Sequence, residues 1–378
     1  MSEDLLLRGG RLIDPAAGLD GPYDLAISAG RVAAIGPSLE AAPGTRVVDA
    51  RGLLVLPGLI DLHCHVFARM GIGTDPDVSC LPEGTTTAVD GGSAGAATID
   101  AFCAYVAERA RTRVYAWIHL ATHGLIDIRL GELTQLGYAD VDACARAIEA
   151  HRDRVVGIKL RVSNYAVGMS ALPALRLLRQ AADAARVPVM VHIGASGEPL
   201  SVILEWLRPG DVVTHILTGW PNGALDAHGR LHPEVRAARE RGVYFDAAHG
   251  RMHVSFPVVR RLLEQGFLPD GLSTDVTTPL MQQDPHFSLV GFMNKLLALG
   301  VPLREVVPLV TRNPGRLLGR EAWLGSLRVG APADVCVLGW DEGDTTLRDS
   351  FGLEERLARW LVTRLVLKDG VEAGISSS

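Results

Sequence analysis

Between residues 57 and 322 the chain alternates two hydrophobic patterns. Short apolar runs give way to stretches whose apolar residues recur every three or four positions, the period of a helix with one buried face. The runs fall at 59–65, 85–90, 113–120, 155–160, 187–192, 211–215, 243–246 and 271–275. The helical patterns that separate and follow them cover 99–110, 140–152, 171–185, 200–207, 233–241, 256–265 and 289–299. Eight strands with intervening helices over this length predict a (β/α)8 TIM-like barrel. A doubly wound open sheet is the alternative, but no GxGxxG follows the first strand.

The two ends read differently. Residues 5–56 are short strand-like runs punctuated by Gly9-Gly10, Asp14-Pro15, Gly30 and Gly36-Pro37. Such spacing marks a small all-β unit. The same pattern returns at 325–370, and neither end has enough strands for a core of its own. They are therefore expected to pair into one composite β-sandwich, giving a 1–56 part, a barrel at 57–322 and a 323–378 part.

Composition narrows the class. The chain is 48% hydrophobic and 21% charged, as a well-buried globular protein is. A net charge of −6 gives no electrostatic case for nucleic acid. No apolar run approaches a membrane span, and Met1-Ser2-Glu3-Asp4 lacks the basic start of a secretory leader. Cys64, Cys80, Cys103, Cys144 and Cys336 are scattered, without a CxxC pair. A soluble cytoplasmic protein acting on a small molecule is the expectation, with homo-oligomerisation left open. Of 37 basic residues only Lys159, Lys295 and Lys368 are lysine. A lysine inside an apolar strand of such an arginine-rich chain calls for a reason.

Barrel active sites lie at the C-terminal ends of the strands. Those ends carry His63 and His65, then Lys159, His192, His215 and Asp275. Four imidazoles and a carboxylate at equivalent depth are metal-ligand chemistry. His63 and His65, spaced i and i+2, share a face, and Cys64 points the other way into the core.

Here the sequence resembles the amidohydrolase superfamily, in the subtype whose two metals share a carboxylated lysine. The motifs are Pro57-Gly58-Leu59-Ile60-Asp61-Leu62-His63-Cys64-His65, Gly157-Ile158-Lys159, Val191-His192, Thr214-His215 and Ser273-Thr274-Asp275. Gly157-Ile158-Lys159-Leu160-Arg161 and Ala248-His249-Gly250 are similar to the dihydroorotase-like branch that includes deacetylases. The resemblance implies two divalent metals, usually zinc. His63, His65 and Asp275 would hold one, His192 and His215 the other, with carboxylated Lys159 bridging. It also implies a metal-bridging hydroxide as nucleophile, with Asp275 as general acid and base. A lysine desolvated among Val155, Ile158 and Leu160 is disfavoured as an ammonium, and only a neutral amine can take up CO2.

Substrate-binding candidates are Arg161, which shares the face of Lys159, together with His249, Asn164 and His123 in the following loops. His253 reads as a surface residue, His119 as packing, Asp90 as structural, and Asp61 as support for the ligand pair. The function expected is hydrolysis of an acyl or acetyl amide or ester in a small carboxylate-bearing substrate. A cyclic amidase of dihydroorotase or hydantoinase type is the alternative. A non-catalytic relative would have lost ligands, and a mononuclear deaminase would have no use for Lys159.

Overall fold

The structure, a computed structural model, describes residues 4–168 and 171–374; Met1-Ser2-Glu3, whose sequence lacks the basic start of a secretory leader, and the last four residues lie outside them. Strands β1 (Leu5–Asp14), β2 (Leu19–Ser28), β3 (Arg31–Gly36), β4 (Arg46–Asp49) and β5 (Leu54–Pro57) come first. The barrel strands follow: β6 (Leu59–Cys64), β7 (Thr85–Gly95), β8 (Arg113–His119), β9 (Val155–Arg161), β10 (Val189–His192), β11 (Val212–Thr214), β12 (Tyr244–Ala248) and β13 (Gly271–Ser273). The chain closes with β14 (Val335–Arg348), β15 (Glu354–Lys368) and β16 (Val371–Ala373).

Strands β6 to β13 form one parallel sheet in chain order, with helices in the connections. Its first and last members meet just beyond their ladders. The Asp275 N–H donates to His63 O at 2.6 Å, and the His65 N–H donates to Val276 O at 3.0 Å. The Asp61 carboxylate reinforces this seam by accepting from the Thr274 hydroxyl at 2.5 Å and from the His63 N–H at 3.1 Å. Ile60, Leu62, Val89, Trp117, Met190 and Val212 fill the interior, as large apolar side chains do in packed barrels. Trp117 also satisfies its indole N–H on Leu62 O, at 3.1 Å. Among the described residues, no helix is long and apolar enough to cross a membrane.

The second sheet has the order β16-β15-β14-β5-β1-β2-β3, with β4 beside β1. It mixes both chain ends: Val335 to Leu338 run antiparallel to Leu54 to Pro57. The apolar run before the first histidine pair is thus two strands in two sheets, split at Gly58. An interdomain cluster ties the sheet to the barrel. Asp334 accepts from Arg113 on β8 and from buried Lys368 on β15, the latter at 3.2 Å.

Two elements differ from the pattern reading. The 99–110 helix is regular over Ile99–Phe102 and then widens to i→i+5 pairing, with the Glu108 N–H donating to Cys103 O. The C-terminal strands are also far longer than their apolar segments, 14 and 15 residues in β14 and β15. Their outer halves, around Asp341 to Arg348 and Glu354 to Arg359, are largely exposed, so no apolar alternation marks them. The tip of this ribbon returns to the barrel: the Ser350 N–H donates to Val254 O, and Asp349 accepts from the Phe256 N–H.

The ribbon is held to the barrel wall by Asn294, in the helix Leu289–Ala298. Its Nδ2 donates to Leu361 O at 2.9 Å and its Oδ1 accepts from Leu361 N at 2.8 Å, both buried. Asn294→Leu leaves the Leu361 N–H and C=O without these partners in an apolar joint. The expected loss of stability is about 2–4 kcal/mol, read as a lower urea midpoint. A midpoint equal to wild type would show that the joint does not depend on this pair.

Candidate metal centre

Each chemistry-bearing side chain at the barrel mouth is placed by a strand end and oriented by what lies behind it. His63 sits on β6 with Nδ1 at 2.9 Å from the Thr214 hydroxyl. That hydroxyl donates its one hydrogen to Asp246 Oδ2 at 2.6 Å, so it accepts from His63 Nδ1–H. The relay fixes the tautomer and leaves the Nε2 lone pair facing the cavity. His65 Nδ1 lies 2.9 Å from the Ser93 hydroxyl. Its Nε2 is 3.1 Å from Asp275 Oδ1, and His63 Nε2 is 3.6 Å from the same oxygen. His63, His65 and Asp275 thus bring three donor atoms within 4.8 Å of one another.

A second group forms beside it. The donor atoms of His192, His215 and His253 also lie within 4.8 Å of one another. His215 commits Nδ1–H to Ala248 O at 3.0 Å. The Nε2 atoms of both His192 and His215 are buried without a hydrogen-bond partner among the described residues. Folding rarely leaves two such nitrogens side by side, and a bound cation would supply the missing partner. The donor set, neutral imidazoles with a carboxylate, fits a divalent transition metal.

Backbone conformation contributes. His215 and Asp275 both adopt positive φ, 74° and 50°, one residue after the end of β11 and two after the end of β13. For a residue with a Cβ this costs on the order of 1 kcal/mol or more, and here it turns both side chains at the point where the strands stop. Lys159 is fully buried on β9, with Nζ at 2.8 Å from His63 Nε2 and 3.4 Å from Met190 Sδ. Room for it comes from Gly91 and Gly92 on β7: a Cβ at the first would meet the His63 ring at 2.2 Å, and at the second the Lys159 side chain at 2.8 Å. The Asp90 carboxylate shapes that turn by accepting from the N–H groups of Val66, Gly92 and Ser93.

Burial sets the charges. It pushes Lys159 down to about 7, against the pull of Asp275. It also holds His63, His192 and His215 well below the ordinary imidazole value. Burial alone would raise Asp275, but His63 and the hydrogen bond from His65 outweigh it and hold the carboxyl well below its usual range. Behind the site, burial raises Asp246 to about 6 and Asp61 to about 7.

The cleft above these groups has a volume of about 260 Å³. Arg161 lines it, with Nη1 donating to Glu132 Oε1 at 2.9 Å and Nη2 to the Tyr165 hydroxyl. The other binding candidates stand elsewhere. His249 has Nδ1 at 2.6 Å from Gly250 O and Nε2 at 2.8 Å from Lys295 Nζ, and it lines a neighbouring cavity. Asn164 is exposed at the start of a short helix. The His123 ring packs edge-on against Tyr138, 5.0 Å between centroids. Neither lines the cleft. Conversely, His253, read from sequence as a surface residue, is buried within the second group. Glu132 is also buried, ties Arg161 to His119 and gave no signal in its loop.

A family model described as the amidohydrolase family matches residues 54–357. A deacetylase of Agrobacterium fabrum is 33% identical over 87% of this chain and 81% of its own length. A crystal structure titled as an adenine deaminase superposes with a TM-score of 0.90 at 29% identity, over 98% of this chain and 99% of that one. A dihydroorotase crystal structure gives 0.88 at 30% identity, with the same coverage.

The relay behind His63 generates a test. Thr214→Val removes the acceptor of His63 Nδ1–H and one hydrogen bond to buried Asp246. Metal affinity should fall about 10–100-fold by competition with a chelator, while Thr214→Ser stays near wild type. Equal affinity in all three proteins would show that the relay does not orient a ligand.

Proposed function

The chain belongs to the amidohydrolase family, and on that premise we propose that it hydrolyses the acyl amide or ester bond of a small carboxylate-bearing substrate, with an acetyl group as the leading acyl candidate. The observation that carries this reading is the pair of buried Nε2 atoms on His192 and His215 that find no hydrogen-bond partner among the described residues, beside ionised Asp275.

His63, His65 and Asp275 would hold one divalent metal, zinc by the donor set, and His192 and His215 the other. Lys159 would bridge them as a carbamate. Its amine attacks CO2, the new N–C bond forms and one proton leaves to solvent, giving an anionic two-oxygen group. The desolvation that favours the neutral amine favours this reaction, and an arginine would not undergo it. A metal pair bound there supplies carbonyl polarisation and an acidified water, which a carboxylate so far below its usual range requires of its proton donor.

The remaining work falls to this chain's side chains. Asp275 accepts the water's proton and delivers it to the leaving nitrogen or oxygen. Arg161 presents the N–H groups not spent on Glu132 and Tyr165 to a substrate carboxylate. The neutral imidazoles keep positive charge off the cavity walls. The deacetylase similarity supports an acyclic acetylated acid, and the dihydroorotase similarity keeps a cyclic amide as the second reading.

A panel of N-acetyl amino acids, O-acetyl hydroxy acids, dihydroorotate, hydantoins and adenine tests the substrate class. Turnover of acetylated acids is the expected result; turnover confined to cyclic compounds or adenine overturns it. Lys159→Arg is expected to lower kcat/KM by at least about a hundredfold, as loss of the bridging group from the reacting centre does. Full activity in that variant would refute the carbamate.

A further inference from the structure

We infer that His253 is a third ligand of the second metal position, giving His192, His215 and His253 a set that loads without a carbamate on Lys159. This rests on the two-metal reading above and adds to it a CO2-independent mode of occupancy.

Three neutral imidazoles with a fourth position open is a known catalytic arrangement for zinc. Tetrahedral coordination at about 2.0–2.1 Å places ligand nitrogens about 3.4 Å apart. The three donor atoms lie within 4.8 Å of one another, so a modest inward movement completes the set. The rings are already packed together: His253 is 3.9 Å from His215 and 4.8 Å from His192, centroid to centroid. Lys159 Nζ is instead engaged with His63 Nε2 and Met190 Sδ. The Nε2 atoms of His192 and His215, which find no hydrogen-bond partner among the described residues, thus have the His253 ring packed beside them.

His253 is held there by distant parts of the chain. Its N–H donates to His249 O at 3.2 Å. The next residue is fixed on both sides by the ribbon tip: the Val254 N–H donates to Ser350 Oγ at 3.1 Å, and the Ser350 N–H to Val254 O at 2.9 Å. On the facing loop, Gly194 has a φ of 115°, and a Cβ there would come within 3.2 Å of the His253 ring. Besides the two ligand rings, a side-chain hydroxyl approaches this imidazole: Thr218 Oγ1 is 3.5 Å from Nδ1, at the outer limit of a hydrogen bond. So weak a tether leaves the ring able to turn a nitrogen towards a metal.

The test is metal stoichiometry and the visible spectrum of cobalt. Metal-free protein is titrated with Co2+ in CO2-free buffer and again with bicarbonate. Wild type should bind about two equivalents in both, and Lys159→Ala should also keep about two. Adding His253→Ala to Lys159→Ala should weaken the second site at least about tenfold and change its d–d bands. His253→Gln alone should bind its second equivalent only with bicarbonate, which also shows that the variant folds. Lys159→Ala binding a single equivalent, or a double variant identical to it, overturns the role of His253. Wild type holding fewer than two equivalents even with bicarbonate instead defeats the two-metal reading itself.

Discussion

The seam between the last and first barrel strands is the constraint on which the rest depends. Hydrogen bonds Asp275 N–H to His63 O and His65 N–H to Val276 O close the sheet. They also set Asp275 against both histidines. Closure and site assembly are thus one event. Asp61 shows the cost. It is a buried carboxylate raised to about 7, and desolvation is offset only by its bonds to Thr274 and to the His63 N–H. A group so unfavourable to bury has its use in joining residues far apart in sequence at the point where the cavity needs them.

The three lysines show how a compositional oddity becomes structure. All are buried: Lys159 under the site, Lys295 between His249 and Asp284, and Lys368 on Asp334 at the joint of the two sheets. Among the described residues every arginine keeps more of its surface in water than these three lysines do, although Arg113, Arg161 and Arg179 are largely covered. Scarcity in the composition marked Lys159 as unusual. It marked Lys295 equally, but a helix position offers no strand end to suggest a role. The partners of Lys295 come from two other segments.

That contrast separates what the sequence discloses from what it hides. His63, Lys159, His192, His215 and Asp275 were legible because period 2 and strand termination place them almost without tertiary information. His253, Glu132 and the outer ribbon were not. Their positions depend on contacts such as Val254 with Ser350, 96 residues apart, and no local period encodes those. The same reason moved His249, Asn164 and His123 out of the cleft: being in a loop after a strand restricts a residue to the rim, not to a direction. The long β14–β15 ribbon was hidden because its outer half is stabilised by pairing with itself while exposed.

Arg161 shows what the loops then decide. Its guanidinium is already directed by Glu132, which is itself held from below by His119, and by Tyr165 from the side. Burial would raise Glu132, but the Arg161 charge keeps it ionised, so the pair carries little net field into the cleft. A substrate carboxylate arriving there gains less from long-range attraction than it would from a lone arginine. It meets instead a fork whose rotamer is set in advance, which lowers the entropic cost of a directional bond. Selection by this cleft should therefore rest on where the acid sits relative to the scissile carbonyl more than on how much charge it carries. A barrel with fixed metal donors can change its substrate through just such loop-borne contacts.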